Sequence, residues 1–321
     1  MHRLAVAGHE AAIARHVVDL VSRVWMPRSR FADVAAMAIA TLTLGPDASA
    51  FFELGRAQSA TGQPWQALAS FGEALALYRQ AGERGNEAAT LNNIGLVYAN
   101  LGDGEQALAH YGQALPVQRE VGNRAGEAAT LGNIGALHAQ LGDGEQALAY
   151  YGQALPVQRE MGDRAGEATT LNNIGVVQSR RGDREQAMAY YARSLPIRRE
   201  VGDRAGEATT LNNIGLEYKT RGDGEQALAY YTQALTIRRE VGDRSGEAVT
   251  RYNLAMIHRA AGNLDQAIRE LEIVVDLDRQ VDHPDLASDT AMLEQLREER
   301  RGTDAPSAGG FGDERDAPQS S

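Results

Sequence analysis

The chain contains no cysteine, which removes disulfide staples, thiolate nucleophiles and cysteine-bound zinc from consideration and permits a reducing compartment. It has no apolar run of about eighteen residues, the length that would read as a membrane-spanning helix. It also lacks a cationic excess, since 32 Lys and Arg stand against 43 Asp and Glu, a formal net charge of -11. That balance argues against non-specific nucleic-acid binding, which needs positive charge to displace phosphate counterions, and against an anionic membrane surface. Catalytic signatures are missing too: there is no Walker A loop, no Gly-x-Gly-x-x-Gly behind a strand and no Gly-x-Ser-x-Gly. His9, Glu10 and His16 lack the i, i+4 histidine pair of a helical zinc site. The Gly-Asp-Gly segments at Gly102–Gly104 and Gly142–Gly144 carry one acid each, too few for a calcium loop and the wrong sign for phosphate. No cofactor is expected, and no enzymatic activity. The N-terminal stretch through Val18 has its apolar patch broken by His9 and Glu10, a poor signal-peptide core, so the cytoplasm is the expected compartment.

What the chain does have is a beat. Asn93, Asn133, Asn173 and Asn213 recur forty residues apart, each followed by Ile and then Gly. A fixed period of this length marks stacked helical hairpins, an elongated body whose repeats contact their neighbours. Within one copy, Leu91, Ile94, Gly95 and Tyr98 form one stripe of a first helix. Gly102 breaks that helix, and Asp103 with Gln106 three residues on is suited to cap a second. On the second helix Ala107, Tyr111, Ala114 and Leu115 make the apolar face, which ends at Gly122 before a polar connector of Asn123, Arg124 and Ala125. Gly95 and Ala107 are small where helices must approach; Tyr111 and its copies Tyr151, Tyr191 and Tyr231 are large where a gap must be filled.

This pattern resembles the tetratricopeptide repeat. Leu91, Ile94, Gly95, Tyr98, Ala107, Tyr111 and Ala114 match its positions, and the match recurs from Leu54, Gly55, Ala67, Phe71 and Ala74 through Leu254, Ala255 and Ala267. The resemblance implies an all-α, right-handed superhelical solenoid of antiparallel helix hairpins. Two departures stand out: the period exceeds the usual ~34 residues, and the closing proline is replaced by Arg119, with Pro116, Pro156 and Pro196 placed earlier. The long period is similar to that of polarity adaptors, kinesin light chains and the arrays of bacterial STAND regulators. Proline inside a helix forfeits a hydrogen bond to the carbonyl four residues back, where Gly112 and Gly152 stand, so a kink is expected.

The expected organisation is a divergent N-terminal hairpin or cap at 1–48, about six repeats at 49–283, a capping helix at 284–301 and a disordered tail at 302–321. Val34, Met37 and Ala40 align with Leu68, Phe71 and Ala74 at an offset of 34. In the capping helix Leu286, Met292, Leu293 and Leu296 should face inward.

The second helices are near-identical between copies, whereas the last turns of the first helices vary, from Leu96, Ala136, Val176, Leu216 and Met256 onward. In the resembled family this stretch lines the concave groove, so a uniform scaffold with a variable lining implies a protein or peptide ligand; drift where packing is loose is the competing explanation. Arg180, Lys219 and Arg259 fall at nearly one phase of successive first helices and would favour acidic groups in the partner. Two asparagine columns are further candidates: Asn92, Asn172 and Asn212, and beside them Asn93, Asn133, Asn173, Asn213 and Asn253. An amide can donate to and accept from a peptide backbone, and similar asparagines in the resembled family grip ligand main chain. One column is expected to bind and the other to join neighbouring repeats; sequence does not assign which. A sensor or oligomerisation arm of a STAND-type bacterial regulator is the alternative function. Self-association is a further one, through the convex surfaces or the segment around Phe311.

Overall fold

The computed structural model describes residues 1–281 and 283–304. Among them are sixteen α-helices and a single 3-10 turn, with no strand. They form two compact units, Met1–Ile197 and Arg198–Ser321. The first holds α1 (His2–Ala7), α2 (Ala11–Trp25), α3 (Phe31–Leu42), α4 (Ala48–Ala60), α5 (Pro64–Ala81), α6 (Arg84–Asn100), α7 (Gly104–Glu120), α8 (Arg124–Gln140), α9 (Gly144–Glu160) and α10 (Arg164–Arg180). The boundary falls inside α11 (Arg184–Glu200). The second unit continues with α12 (Arg204–Thr220), α13 (Gly224–Val241), α14 (Arg244–Ala260), α15 (Leu264–Val281) and α16 (Leu286–Asp304). Within each unit consecutive helices pack as hairpins, α6 on α7 and α8 on α9 in the first, α12 on α13 and α14 on α15 in the second.

The turns set the architecture. α7 ends with Gly122 at φ +68°, the Asn123 N–H bonded to the Gln118 carbonyl (2.8 Å) and the Gly122 N–H to the Arg119 carbonyl (3.2 Å). This is a Schellman closure, and its left-handed residue favours glycine. The α6–α7 turn repeats it at Gly102, with the Asp103 N–H on the Tyr98 carbonyl (2.9 Å). The residue after each glycine then caps the next helix: Asp103 accepts from the Gln106 N–H (3.1 Å) and Asn123 from the Gly126 N–H (3.0 Å). The turn inside a hairpin and the turn between hairpins are therefore the same three-residue device. The connector is Val121–Gly122–Asn123 rather than Asn123–Ala125, because α8 already starts at Arg124. Its apolar stripe begins only at Ala128, so periodicity does not reveal the first turn, which is held by the Asn123 cap and by ion pairs of Glu127.

Four hairpins close around a glycine and a tyrosine: Gly95 with Tyr111, Gly135 with Tyr151, Gly175 with Tyr191 and Gly215 with Tyr231. A Cβ on Gly95 would lie 2.7 Å from the Tyr111 ring, and Gly135 with Tyr151 shows the same distance. The Tyr111 side chain is fully buried and joins Ala107, Ile134 and Leu137 in a cluster that binds one hairpin to the next. Helices α7 and α9 run on through Pro116 and Pro156. Each proline gives up one ladder bond, to the carbonyl of Gly112 or Gly152, without ending its helix. A row of ion pairs follows one edge of the stack: Arg119 meets Glu127 at 2.8 Å, Arg124 meets both Glu127 and Glu160, and Arg159 meets Glu167 at 2.7 Å.

At the N-terminus, α2 and α3 pack together around buried Ala14, Val18, Val34 and Ala38. The inward residues of α3 are Val34, Ala38 and Thr41, which match Ala67, Phe71 and Ala74 at an offset of 33. The expected register of Val34, Met37 and Ala40 is thus corrected by one, and Met37 and Ala40 are only half-buried. His2 fixes this end through Nε2 and the Thr41 hydroxyl at 2.9 Å. At the other end α16 packs on α15 through Leu293 and Leu296, with Leu286 and Met292 partly buried beside them. Residues 302–304, expected in the disordered tail, continue α16; residues 305–321 lie outside the described residues.

Candidate ligand-binding face

The two asparagine columns have different work. Asn92 is half-buried, and its carboxamide oxygen accepts from the Thr130 hydroxyl (2.9 Å) and the Asn133 amide (3.1 Å) of the next first helix. In the second unit Asn212 is buried and takes the same two partners at longer range, Thr250 at 3.5 Å and Asn253 at 3.4 Å. This column joins repeats. Asn172, in the same column, is likewise buried. Asn133 and Asn253 are engaged by it, and Asn93 donates to the Ala89 carbonyl of its own helix (2.8 Å). Asn213 is half-buried on α12.

Asn173 differs. It lies beside Tyr151, a side chain that sequence assigns to the core. Burial pushes the Tyr151 phenol up to about 12, with Asn173 and the Arg180 charge acting in the opposite direction. Both residues line an open cavity of about 280 Å3 whose other walls are Ala136, Ala139, Gln140 and Val176. Arg180 crosses its mouth, donating from Nη1 to the Ala139 carbonyl at 3.0 Å. The structure therefore brings Asn173 and Arg180 together.

The other two predicted cations part company. Lys219 is half-buried on α12, and its ammonium is pushed below its ordinary range by burial. Arg259 is consumed structurally: its guanidinium pairs with Glu299 of α16, Nε lying 3.1 Å from Oε2, and its Nη1 meets the Met292 sulfur at 3.3 Å. Sequence could not place Glu299 opposite Arg259, because the register of α16 on α14 is set by tertiary packing.

The tetratricopeptide repeat family model matches four overlapping segments, residues 86–160, 127–200, 166–240 and 206–280. The chain belongs to the tetratricopeptide repeat family. No curated protein matches it by sequence. Solved structures resemble it in fold at low identity. A signal transduction ATPase with numerous domains and a tetratricopeptide repeat sensor, from Pyrococcus horikoshii, superposes with a TM-score of 0.72 at 15% identity, covering 90% of this chain and 44% of that one. The apo quorum sensor NprR from B. thuringiensis gives 0.68 at 16% identity, covering 86% and 85%. BtubC from P. vanneervenii gives 0.55 at 19%, covering 78% and 97%. The chain thus spans less than half the length of the archaeal ATPase.

Within this tetratricopeptide array, sequence reasoning placed Ala136 in the variable lining but overlooked Gly132 and the Tyr151 hydroxyl. A signal was present: Gly132 stands where Asn92, Asn172 and Asn212 stand in other copies, and Ala136 is the smallest residue at its repeat position. Among the described residues no group of three His, Cys, Asp or Glu could hold a metal, and no helix is long and apolar enough to cross a membrane.

Proposed function

We propose that the chain is a non-catalytic interaction scaffold that captures an extended or helical protein segment on the face formed by its first helices. Asn173 and Arg180 act in the first unit and Asn213 and Lys219 in the second, with the amides on ligand main chain and the cations on acidic groups. The observation that carries the reading is the open cavity where Asn173 and Arg180 meet, set in a scaffold otherwise uniform from copy to copy. A structure of similar fold, the Rap conjugation gene regulator of plasmid pLS20, was solved in complex with the Phr* peptide (TM-score 0.63, 16% identity). The acidic net charge favours a protein partner over nucleic acid or an anionic membrane, and the cytoplasm is the proposed compartment.

The test is replacement of Asn173, Asn213, Arg180 and Lys219 together by Ala, followed by capture of fluorescent nonapeptide pools by the full chain. Lost capture with unchanged helicity is expected; unchanged capture refutes the placement. A second reading, a sensor or oligomerisation arm of a STAND-type regulator, is favoured by the match to the archaeal ATPase over 90% of this chain. Light scattering with and without residues 302–321 separates self-association from ligand capture.

A further inference from the structure

The repeat-joining asparagine, replaced by Phe52 and Tyr252 in the outer repeats, gives way to glycine in one inner copy, whose Ala136 lines the cavity. Asn92 and Asn212 each engage a Thr and an Asn of the next first helix. At the corresponding position of α8 stands Gly132, where an added Cβ would meet nothing within 4 Å. Four residues on, Ala136 occupies the position filled by Leu96, Val176, Leu216 and Met256 in the other copies. Residues four apart share a helix face, so two side-chain absences fall on one face of α8, and Ala136 lines the recess there.

The loss of the bridge also redirects Asn173. Its counterparts Asn133 and Asn253 donate to the bridging asparagine, whereas Asn173 has glycine at that place and lines the cavity beside Tyr151. The counterpart of Tyr151 beside Asn253 is Tyr231, whose buried hydroxyl has no partner. Polar groups that serve the scaffold elsewhere are thus turned toward an open cavity here.

Its chemistry is one-sided. Arg180, Asn173, Gln140 and the Tyr151 hydroxyl can donate, and no carboxylate lines the wall. Arg180 spends one N–H on the Ala139 carbonyl and keeps others of its five donors. Ala136 and Val176 supply apolar walls for a short alkyl stem. We propose that this recess, left open by the small side chain of Ala136, is a selectivity pocket for a single carboxylate side chain, that of a glutamate in the bound segment. It deepens the proposed function, resting on it for the placement of ligand on the first-helix face.

The test is titration of the full chain with three capped amino acids, followed by nuclear magnetic resonance. N-acetylglutamate amide carries the side-chain carboxylate, N-acetylalanine only a terminal one, and N-acetylglutamine amide neither. The first should give saturable shifts at Tyr151 and Asn173, with the other two at least tenfold weaker. Equal binding of N-acetylglutamine amide overturns the proposal, and preference for N-acetylalanine reassigns the pocket to a chain terminus and overturns it as stated. Gly132→Asn should restore the bridge to Asn173, withdraw that amide from the recess and weaken N-acetylglutamate amide at least tenfold while thermal stability holds or rises. Arg180→Ala should do the same without the gain in stability. Undiminished binding by Gly132→Asn overturns the proposal. Nonapeptide pools with a fixed central Glu or Gln separate the two readings. Equal capture of both pools sinks the pocket and spares the groove; binding of the capped glutamate with no pool captured sinks the groove and spares the pocket.

Discussion

Arg124, at the start of α8, reaches Glu160 at the end of α9 (2.6 Å), while a second nitrogen holds Glu127 one turn along its own helix. Arg119 of α7 takes the other Glu127 oxygen, so α7 and α8 meet on one nearly buried carboxylate and Arg124 ties α9 to them. Burial works against the charged form, but hydrogen bonds and charge from Arg119 and Arg124 outweigh it and hold Glu127 below the usual carboxylate range. Glu87 and Glu167 are held down in the same way by their own arginine pairs.

A carboxylate with a depressed folded-state pKa contributes stability above its unfolded value, about 4.3, and loses it as pH falls through that range. Thermal melts of the full chain should therefore fall steeply below about pH 4.5. Glu127→Gln should be less stable than the parent at pH 7, and the gap should close toward pH 3. A gap that stays constant across that range would show that the ion-pair row does not set the acid response.

The Gly95–Tyr111 contact leaves no room for a methyl group, since the nearest ring carbon lies 2.7 Å from the ideal Cβ. Gly95→Ala should cost about 1–3 kcal/mol by overpacking, even though alanine is the better helix former. Gly112→Ala, facing open space, should stabilise the chain by several tenths of a kcal/mol to about 1. Chemical denaturation of the two variants reads the contrast, and a Gly95→Ala variant as stable as the parent would contradict the packing.

Pro116 lies inside α7 and cannot donate to the Gly112 carbonyl. Pro116→Ala restores that donor and should raise the melting midpoint, with up to about 3 kcal/mol at stake. A fall in the midpoint would mean that the proline-shaped bend is itself required by packing.

Asp289 of α16 faces the buried Asp278 of α15, with Asp285 and His283 nearby. Burial first, then Asp278 and Asp285, push its carboxyl up to about 6, with His283 opposing them. A raised carboxylate pKa stabilises below the unfolded value, about 3.9, and that contribution is lost as pH rises through about 6. Hydrogen exchange, corrected for its intrinsic pH dependence, should show α16 best protected near pH 4 and less so above 6. Asp289→Asn should abolish that dependence. Protection of α16 in the parent that does not change with pH would rule the pair out as its cause.

The hairpins were legible because Leu91, Gly95, Ala107 and Tyr111 each obey a local rule that returns every forty residues. The helix starts were not, because Arg124 to Glu127 are held by a cap and by Arg119 of α7, which leave no apolar period. Which asparagine joins repeats was equally hidden: Asn92 and Asn93 are chemically alike, and only the approach of Thr130 and Asn133 separates them. Arg259 misled for a similar reason, since its partner Glu299 lies forty residues away on a helix outside the repeat pattern.

Since the turns from Gly102 to Gly242 share one backbone closure, the repeats they join have no privileged joint. Excising residues 124–163 would place Asn123 directly before Arg164, and Asn123 already caps a helix beginning Arg-Ala-Gly-Glu as Asp163 does. Recombination between near-identical copies can thus lengthen or shorten the protein in steps of forty residues without inventing a new connection. That step would also remove Gly132 and Ala136, which occur together in one copy only. Length is interchangeable in this design, whereas individuality is held by two missing side chains.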